Sequence, residues 1–343
     1  MHRSRSGSGE MTFTREEDYA TEEEDQCGSE ETCLAKKPRV DGDEELLDVL
    51  NRFRSNWTRS MSPYTGPVDA ITVDFGPMRY TDSGPPRFGS IHYDAMEIFS
   101  IKVTQIEGGL EWPLHVYGLV AVRDSMDHRR NILFHRSKNN YQVLTAEDPF
   151  LVLTGPSRAI ALIDHPEFEV ELYAIGRVPS EDKVLSALYF EYNNISNGRF
   201  AGLIQTRRDK TKLRSTIELK FAHLAVPLEA TIEVYHSGGT RNFHGRFFAH
   251  MDYMGKDEIV LLDSRESKVT ILPDGRILLS RRVVIVEEGD ELRLGVNASQ
   301  SRVGQNSVEV VAKFPAKLLG KSGGELNVGF CMMSVSVAWS VLV

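Results

Sequence analysis

The sequence predicts a mainly β protein, with an antiparallel β-sandwich body behind a disordered acidic tail and one N-terminal helix. Three observations predict it. Beyond residue 96, apolar and polar side chains alternate with period two. No amphipathic helix of useful length separates these runs, which disfavours a doubly wound parallel sheet. The first 41 residues are rich in Ser, Gly, Glu and Asp and almost free of large apolar groups. The chain has 343 residues, 41% apolar and 26% charged, enough for two ordinary domains or one large all-β domain beside a tail.

Four segments follow in order. Residues 1–41 form the tail, which cannot bury enough surface to offset its ordering entropy. Residues 1–45 carry a balance of −8, whereas the remaining 298 carry −1, so the acidity belongs to the tail. Within it, Lys36, Lys37 and Arg39 flank Pro38. This cluster reads either as a solvated charge run or as a short nuclear import signal for an acidic receptor groove. No apolar stretch suits a cleaved leader in the first 30 residues, and none is long enough to span a bilayer. The expected location is therefore nucleus or cytoplasm, without secretion or a membrane.

Residues 42–60 form an amphipathic helix. Asp41 or Asp43 can cap it, and Glu44 and Glu45 suit its positive end. Leu46, Leu50, Phe53 and Trp57 make the apolar stripe, widened by Leu47 and Val49. The helix either docks on its own domain or is offered to a partner's groove. Residues 61–90 hold Pro63, Pro67, Pro77, Pro85 and Pro86 and read as an extended arm. Ile71, Val73 and Phe75 are its candidates for an edge strand.

Residues 91–343 are the sandwich. Phe99, Ile101 and Val103 alternate with Ser100, Lys102 and Thr104; Phe168, Val170 and Leu172 with Glu167, Glu169 and Glu171; Leu292, Leu294 and Val296 with Glu291, Arg293 and Gly295. Each pattern predicts one face in a core and one in water. Leu272-Pro273-Asp274-Gly275 predicts a turn between strands. The last segment resolves as a central strand, with Cys331, Met333, Val335, Val337, Trp339, Val341 and Val343 on one face. A faint internal echo aligns residues 99–103 with 217–221 and 112–122 with 226–235, so the body is read either as one sandwich or as two related halves.

The runs Trp112-Pro-Leu-His-Val-Tyr-Gly-Leu-Val-Ala-Val-Arg-Asp124 and Leu144-Thr-Ala-Glu-Asp-Pro-Phe-Leu-Val-Leu-Thr-Gly-Pro156 resemble a plant, mainly grass, family known as domain of unknown function 6598. The resemblance covers about residues 91–343. In some relatives this domain is joined to a ribosome-inactivating N-glycosidase, which implies a stress or defence setting. The Glu-Ala-x-x-Arg-like helix of that enzyme is missing, since Glu229-Ala230 leads into Thr231-Ile232-Glu233. Depurination by this chain is not expected.

No other constellation of catalytic residues stands out. His236, His244 and His250 lack metal-ligand spacing, and Cys27, Cys33 and Cys331 lack a basic or His partner. Neither metal nor cofactor is expected. The one basic stretch of the body carries Arg199, Arg207, Arg208, Lys210, Lys212 and Arg214. It reads as a solvated loop, or else as a contact for phosphate or an acidic partner. A nearly neutral body with little aromatic interleaving argues against nucleic acid. The expected function is a non-enzymatic binding or scaffold module of unknown ligand, with an unknown protein partner and an import receptor as the partners considered. The alternative is an enzyme acting on carbohydrate or nucleic acid, with a site built from scattered loops. A concave pocket with convergent carboxylates or histidines would favour the alternative.

Overall fold

The computed structural model describes residues 11–14, 42–85, 92–176, 181–198, 201–265, 267–300 and 307–343. The chain starts with β1 (Met11–Thr14), α1 (Gly42–Ser60) and α2 (Ser62–Thr65). A first half follows: β2 (Ala95–Ile106), β3 (Leu114–Arg123), β4 (Asn131–Arg136), β5 (Gln142–Leu144), β6 (Ile160–Ala161), β7 (Glu167–Ala174), β8 (Lys183–Glu191), a short α3 (Asn194–Asn197), β9 (Ile204–Thr211) and β10 (Ser215–Leu224). One sheet has the order β9-β10-β2-β6; the other has β4-β3-β7-β8, with β5 beside β3. Val103, Val120, Phe134, Phe168, Leu172 and Leu219 fill the core between them.

The second half comprises β11 (Pro227–Gly239), β12 (His244–His250), β13 (Ile259–Asp263), β14 (Val283–Glu287), β15 (Glu291–Ser299), β16 (Val308–Pro315), β17 (Leu319–Asn327) and β18 (Cys331–Val341). Its sheets have the orders β17-β18-β11-β14 and β13-β12-β15-β16. With β5 set aside, the two halves correspond strand for strand. β2, β3, β4, β6, β7, β8, β9 and β10 occupy the places of β11 to β18 in turn, and the corresponding neighbours are antiparallel in both. The topology is therefore repeated, but in a different phase from the sequence echo. Residues 99–103 and 217–221 lie on β2 and β10, which are partners in one sheet, with Lys220 opposite Ser100. Alternating strands resemble one another, so similarity over five residues cannot set the phase.

The β18 alternation holds. Cys331, Met333, Val335, Val337, Trp339 and Val341 all enter the second core, between β11 and β17. β7 and β15 likewise send Phe168, Val170 and Leu172, and Leu292, Leu294 and Val296, inward. The turn at 272–275 closes with Gly275 N–H on the Leu272 carbonyl at 3.0 Å and Gly275 at φ 90°.

β2 departs from the expectation. Its register with β10 slips where Ser100 faces Lys220 and Ile98 faces Phe221, so Ile98 and Ile101 both enter the first core. Phe99 is turned to the opposite face and joins the second core with Ala95, Ala222 and Leu224. A bulge reverses side-chain parity in this way. That outer face seals the two halves. There Glu97 meets Arg281, both fully buried, and also accepts from Ile285 N–H at 2.5 Å.

The helix docks on its own domain. Leu50, Phe53 and Trp57 are buried, Leu46 and Leu47 are half-buried, and Val49 remains exposed. Leu50 packs on Val184 and Ala187 of β8, with Tyr173 and Tyr189 alongside. Asp43 accepts from Val184 N–H at 2.9 Å and from Arg214 at 2.5 Å, tethering the helix start to the sheet; Asp41 lies outside the described residues.

The helix corrects the reading of β7. Its Glu face is not in water: Glu169 is 1% exposed beneath α1. Arg54 and Arg130 bond to its carboxylate, and Arg123 lies 3.4 Å away. Burial alone would raise that carboxyl, but Arg130 and Arg54 outweigh it and hold Glu169 below the usual glutamate value.

The arm crosses both halves. Thr72 bonds to Asp127, Met78 N–H donates to Glu229 and Tyr80 N–H to Ser340, and Thr81 accepts from Gly320 N–H. Among its described residues it makes no edge strand: Ile71 forms one isolated bridge with Arg130, and Val73 is exposed. Residues Met11–Thr14, expected in the unstructured tail, run parallel to β9 instead. An open sheet edge offers backbone pairing to a segment of almost any composition. The rest of the expected tail lies outside the described residues.

Candidate functional site

A cleft of about 830 Å³ lies between the last turns of α1 and the sheet containing β7 and β8. Its helix wall carries Val49, Asn56, Trp57 and Met61, and its opposite wall carries Glu167, Tyr189 and Glu191. Asp164, His165, His128 and Ile195 complete the rim. The helix stripe that docks α1 also builds this wall. Phe53 stacks on Tyr189 with centroids 4.1 Å apart, and Trp57 lies under the Arg123 guanidinium at 4.6 Å.

Register brings two carboxylates together. Glu167 of β7 and Glu191 of β8 are direct cross-strand partners. Tyr189 Oη lies 2.9 Å from Glu167 and 2.6 Å from Glu191. Like charges in this arrangement repel. Burial pushes the Glu167 carboxyl above its ordinary value, with Glu191 adding to the rise and Tyr189 opposing it. Burial also raises the Tyr189 phenol strongly, helped by both carboxylates, so that phenol stays protonated. A protonated Glu167 can donate to Tyr189, which donates to Glu191.

Three nitrogens of residues that line the cleft are enclosed and unpaired among the described residues. Trp57 Nε1, Arg123 Nε and His165 Nε2 are buried atoms with no hydrogen-bond partner among the described residues. Trp57 and Arg123 are only 3% and 2% exposed. Unpaired buried donors are uncommon in folded proteins.

The cations picked out in the sequence are distributed otherwise. Arg207, Arg208 and Lys210 sit on strand β9 and not in a loop, and Lys212 and Arg214 sit in the turn after it. Arg207 pairs with Asp209, Arg208 with Glu218, Lys210 with Glu107 and Arg214 with Asp43, which neutralises most of the stretch; Lys212 is exposed. Glu218 lies on the neighbouring strand β10, whereas Asp209 is two residues along β9, Glu107 follows the end of β2 and Asp43 lies in the first turn of α1. Arg199, Lys36, Lys37 and Arg39 lie outside the described residues, as do Cys27 and Cys33.

The remaining candidates have structural places. His244 and His250 bond through Nδ1 to the carbonyls of Arg265 and Asp257. Cys331 is buried in the second core. Glu229 is buried on β11, where it accepts from Met78 and Ala159 N–H and so fastens the arm. A relay that sequence reasoning missed joins Asp94, His223 and Tyr192, with His223 2.7 Å from Asp94 and 3.2 Å from Tyr192; burial pushes the Tyr192 phenol up to about 12. His223, on β10, is buried, while the Asp94 end of the relay is partly exposed. Sequence reasoning also missed the cleft residues. Their only signal was Glu at the two ends of adjacent alternating strands, which becomes informative once the β7–β8 register is known.

Comparison with solved structures gives distant likenesses. A human GIVD cytosolic phospholipase A2 aligns at 9% identity and TM-score 0.26, covering 74% of this chain and 31% of its own. The tandem C2 domains of extended-synaptotagmin 2, calcium bound, align at 12% identity and TM-score 0.27, covering 74% of this chain and 99% of theirs. The chain thus spans about a third of the phospholipase's length. At these scores neither likeness bears on what this chain binds. No curated protein matches the sequence. The model of the family described as domain of unknown function (DUF6598) matches residues 95–337, from the start of β2 to within β18, and the chain belongs to that family.

Proposed function

We propose that this chain is a binding module whose ligand occupies the cleft between α1 and the β7–β8 sheet. One observation carries the reading. A cleft of about 830 Å³ brings together the cross-strand carboxylates Glu167 and Glu191, with the Tyr189 hydroxyl between them. Largely preformed concave sites with a few convergent polar groups are the usual form of a small-ligand site. Native mass spectrometry of the full chain after exposure to a small-molecule cell extract tests this. A retained ligand, lost in Ile195→Arg at the exposed rim, supports the reading. Retention unaffected by that change, or no retained ligand, overturns it.

An enzyme is the second reading, favoured by one observation: Glu167 and Glu191 converge in the cleft, with burial raising the Glu167 carboxyl as a general acid requires. A ligand recovered chemically altered by wild type, but unaltered by Glu167→Gln, would select it.

The family resemblance supports a plant stress or defence setting, and Lys36, Lys37 and Arg39 support nuclear import. Replacing these three with Ala should move a fluorescent fusion out of the nucleus; an unchanged distribution refutes import. A contact of β9 with an acidic partner would have to displace the carboxylates that now hold Arg207, Arg208 and Lys210.

A further inference from the structure

We propose that two copies of this chain join edge to edge through β16, antiparallel about a two-fold axis at Val311. β16 pairs with β15 on one side, and among the described residues no strand pairs with its other side. The repeated topology makes this opening informative. β8 holds the place of β16 in the first half, and β9 holds that of β17. There α1 covers β8, burying Val184 and Ala187, and β1 runs along β9. No described helix or strand covers β16 in the same way, and its Val308 and Val311 are 40% and 43% exposed. The arm meets only the start of β17 by hydrogen bond, where Gly320 N–H donates to the Thr81 carbonyl at 2.8 Å. An open edge presents backbone donors and acceptors to another strand.

The order of charges selects a second copy as the occupant. Glu309, Val311 and Lys313 alternate on the exposed face of β16, while Val310, Ala312 and Phe314 turn to the second core. Reversed about Val311, the strand sets Glu309 opposite the partner's Lys313, and Lys313 opposite the partner's Glu309. Two-fold symmetry thus makes two opposite-charge pairs from one strand. Registers that set Glu309 against Glu309, or Lys313 against Lys313, are repulsive, so charge fixes the alignment. An edge Lys by itself discourages pairing. Here a Glu four residues earlier turns it into a contact for a copy of the same strand. Lys313 lies 3.2 Å from Glu291 and Glu309 lies 3.5 Å from Asn297, and each retains capacity for a second partner.

Register extends the match across the sheet. Val260 of β13, Phe248 of β12, Gly295 of β15 and Val311 stand in one cross-strand row that ends at the open edge. The axis joins this apolar row to its own copy, and two four-stranded sheets become one. β17 repeats the order of charges. Lys321, Gly323 and Glu325 alternate exposed, so reversal about Gly323 sets Lys321 opposite the partner's Glu325. Val311 and Gly323 are equally far along the chain from Lys317, between the two strands, which lets one axis serve both edges.

Sedimentation velocity of the full chain from about 1 to 200 µM, a range suited to a small interface, tests this. The expected result is a monomer that converts to a dimer as concentration rises. Glu309→Lys and Lys313→Glu should each weaken dimerisation roughly tenfold or more, because each replaces two attractive pairs with two repulsive ones. An equimolar mixture of the two variants should dimerise again, since opposite charges then face each other across the axis. Misfolding would not be rescued by mixing, and circular dichroism with thermal melting checks the fold of each variant. A chain that stays monomeric throughout this range overturns the proposal. So does a dimer that neither change weakens, and so does a mixture of the variants that remains monomeric.

Discussion

Arg281→Met should destabilise the joint between the two halves in a pH-dependent way. Arg281 and Glu97 are both buried, and the guanidinium also donates to the carbonyls of Ile98 and Val283. Removing it leaves Glu97 with the backbone N–H groups of Ile285 and Ile98 as donors. Breaking a buried pair from one side costs about 3–5 kcal/mol, because the other charge stays buried without compensation. At roughly 2–4 °C per kcal/mol for domains of 150–250 residues, the melting temperature should fall by on the order of 10 °C.

The sign with pH follows from Glu97. Burial already raises its carboxyl above the ordinary value, despite the opposing pull of Arg281. Without the cation it rises further, so above the unfolded glutamate value of about 4.3 the folded state holds a proton that the unfolded state releases. Stability then falls as pH rises, by up to about 1.4 kcal/mol per unit, until the folded pKa is passed. Thermal unfolding followed by circular dichroism at pH 4.5, 6 and 7.5 measures this. The deficit should be smallest at pH 4.5 and largest at pH 7.5, and Glu97→Gln in the same chain should recover part of it. A deficit that is equal at both ends of this range, or a variant as stable as wild type at pH 7.5, would refute the account of the joint.

Three other substitutions have defined outcomes. Leu50→Ala should cost about 2–5 kcal/mol in denaturant unfolding and loosen α1, seen as a red shift of tryptophan emission as Trp57 meets water. Gly295→Ala would place a Cβ 2.1 Å from Phe248 Cζ across β12 and β15, so melting should drop by an amount typical of overpacking, about 1–3 kcal/mol or more, with partial recovery in Gly295→Ala/Phe248→Leu. Glu167 carries a raised pKa, so it contributes stability at low pH that is lost as pH rises through its folded value. Glu191→Gln removes part of the cause of that rise and should flatten the decline by about 0.2–1 kcal/mol, measured as melting temperature against pH.

Particular residues show what was legible. Trp339 and Val337 on β18, Leu294 on β15 and the stripe Leu50, Phe53, Trp57 stand where their spacing placed them. Glu169 does not. Its alternation with Phe168 and Val170 correctly separated two faces, but which face met water depended on α1 arriving from more than a hundred residues away. Phe99 shows a different failure: a single bulge reversed its parity, and nothing in the run of letters marks the slip.

The sequence alone determined the strand-rich class, the helix at 42–60 and the inward sets of β7, β15 and β18, because side-chain direction is a local consequence of backbone period. Tertiary structure decided the phase of the repeated topology, the burial of Glu97, Glu169 and Arg281, and the meeting of Glu167 with Glu191 beside Trp57. Those outcomes depend on which strands pair and in what register. Pairing joins segments far apart in the chain, such as β11 with β18, that carry no local record of each other.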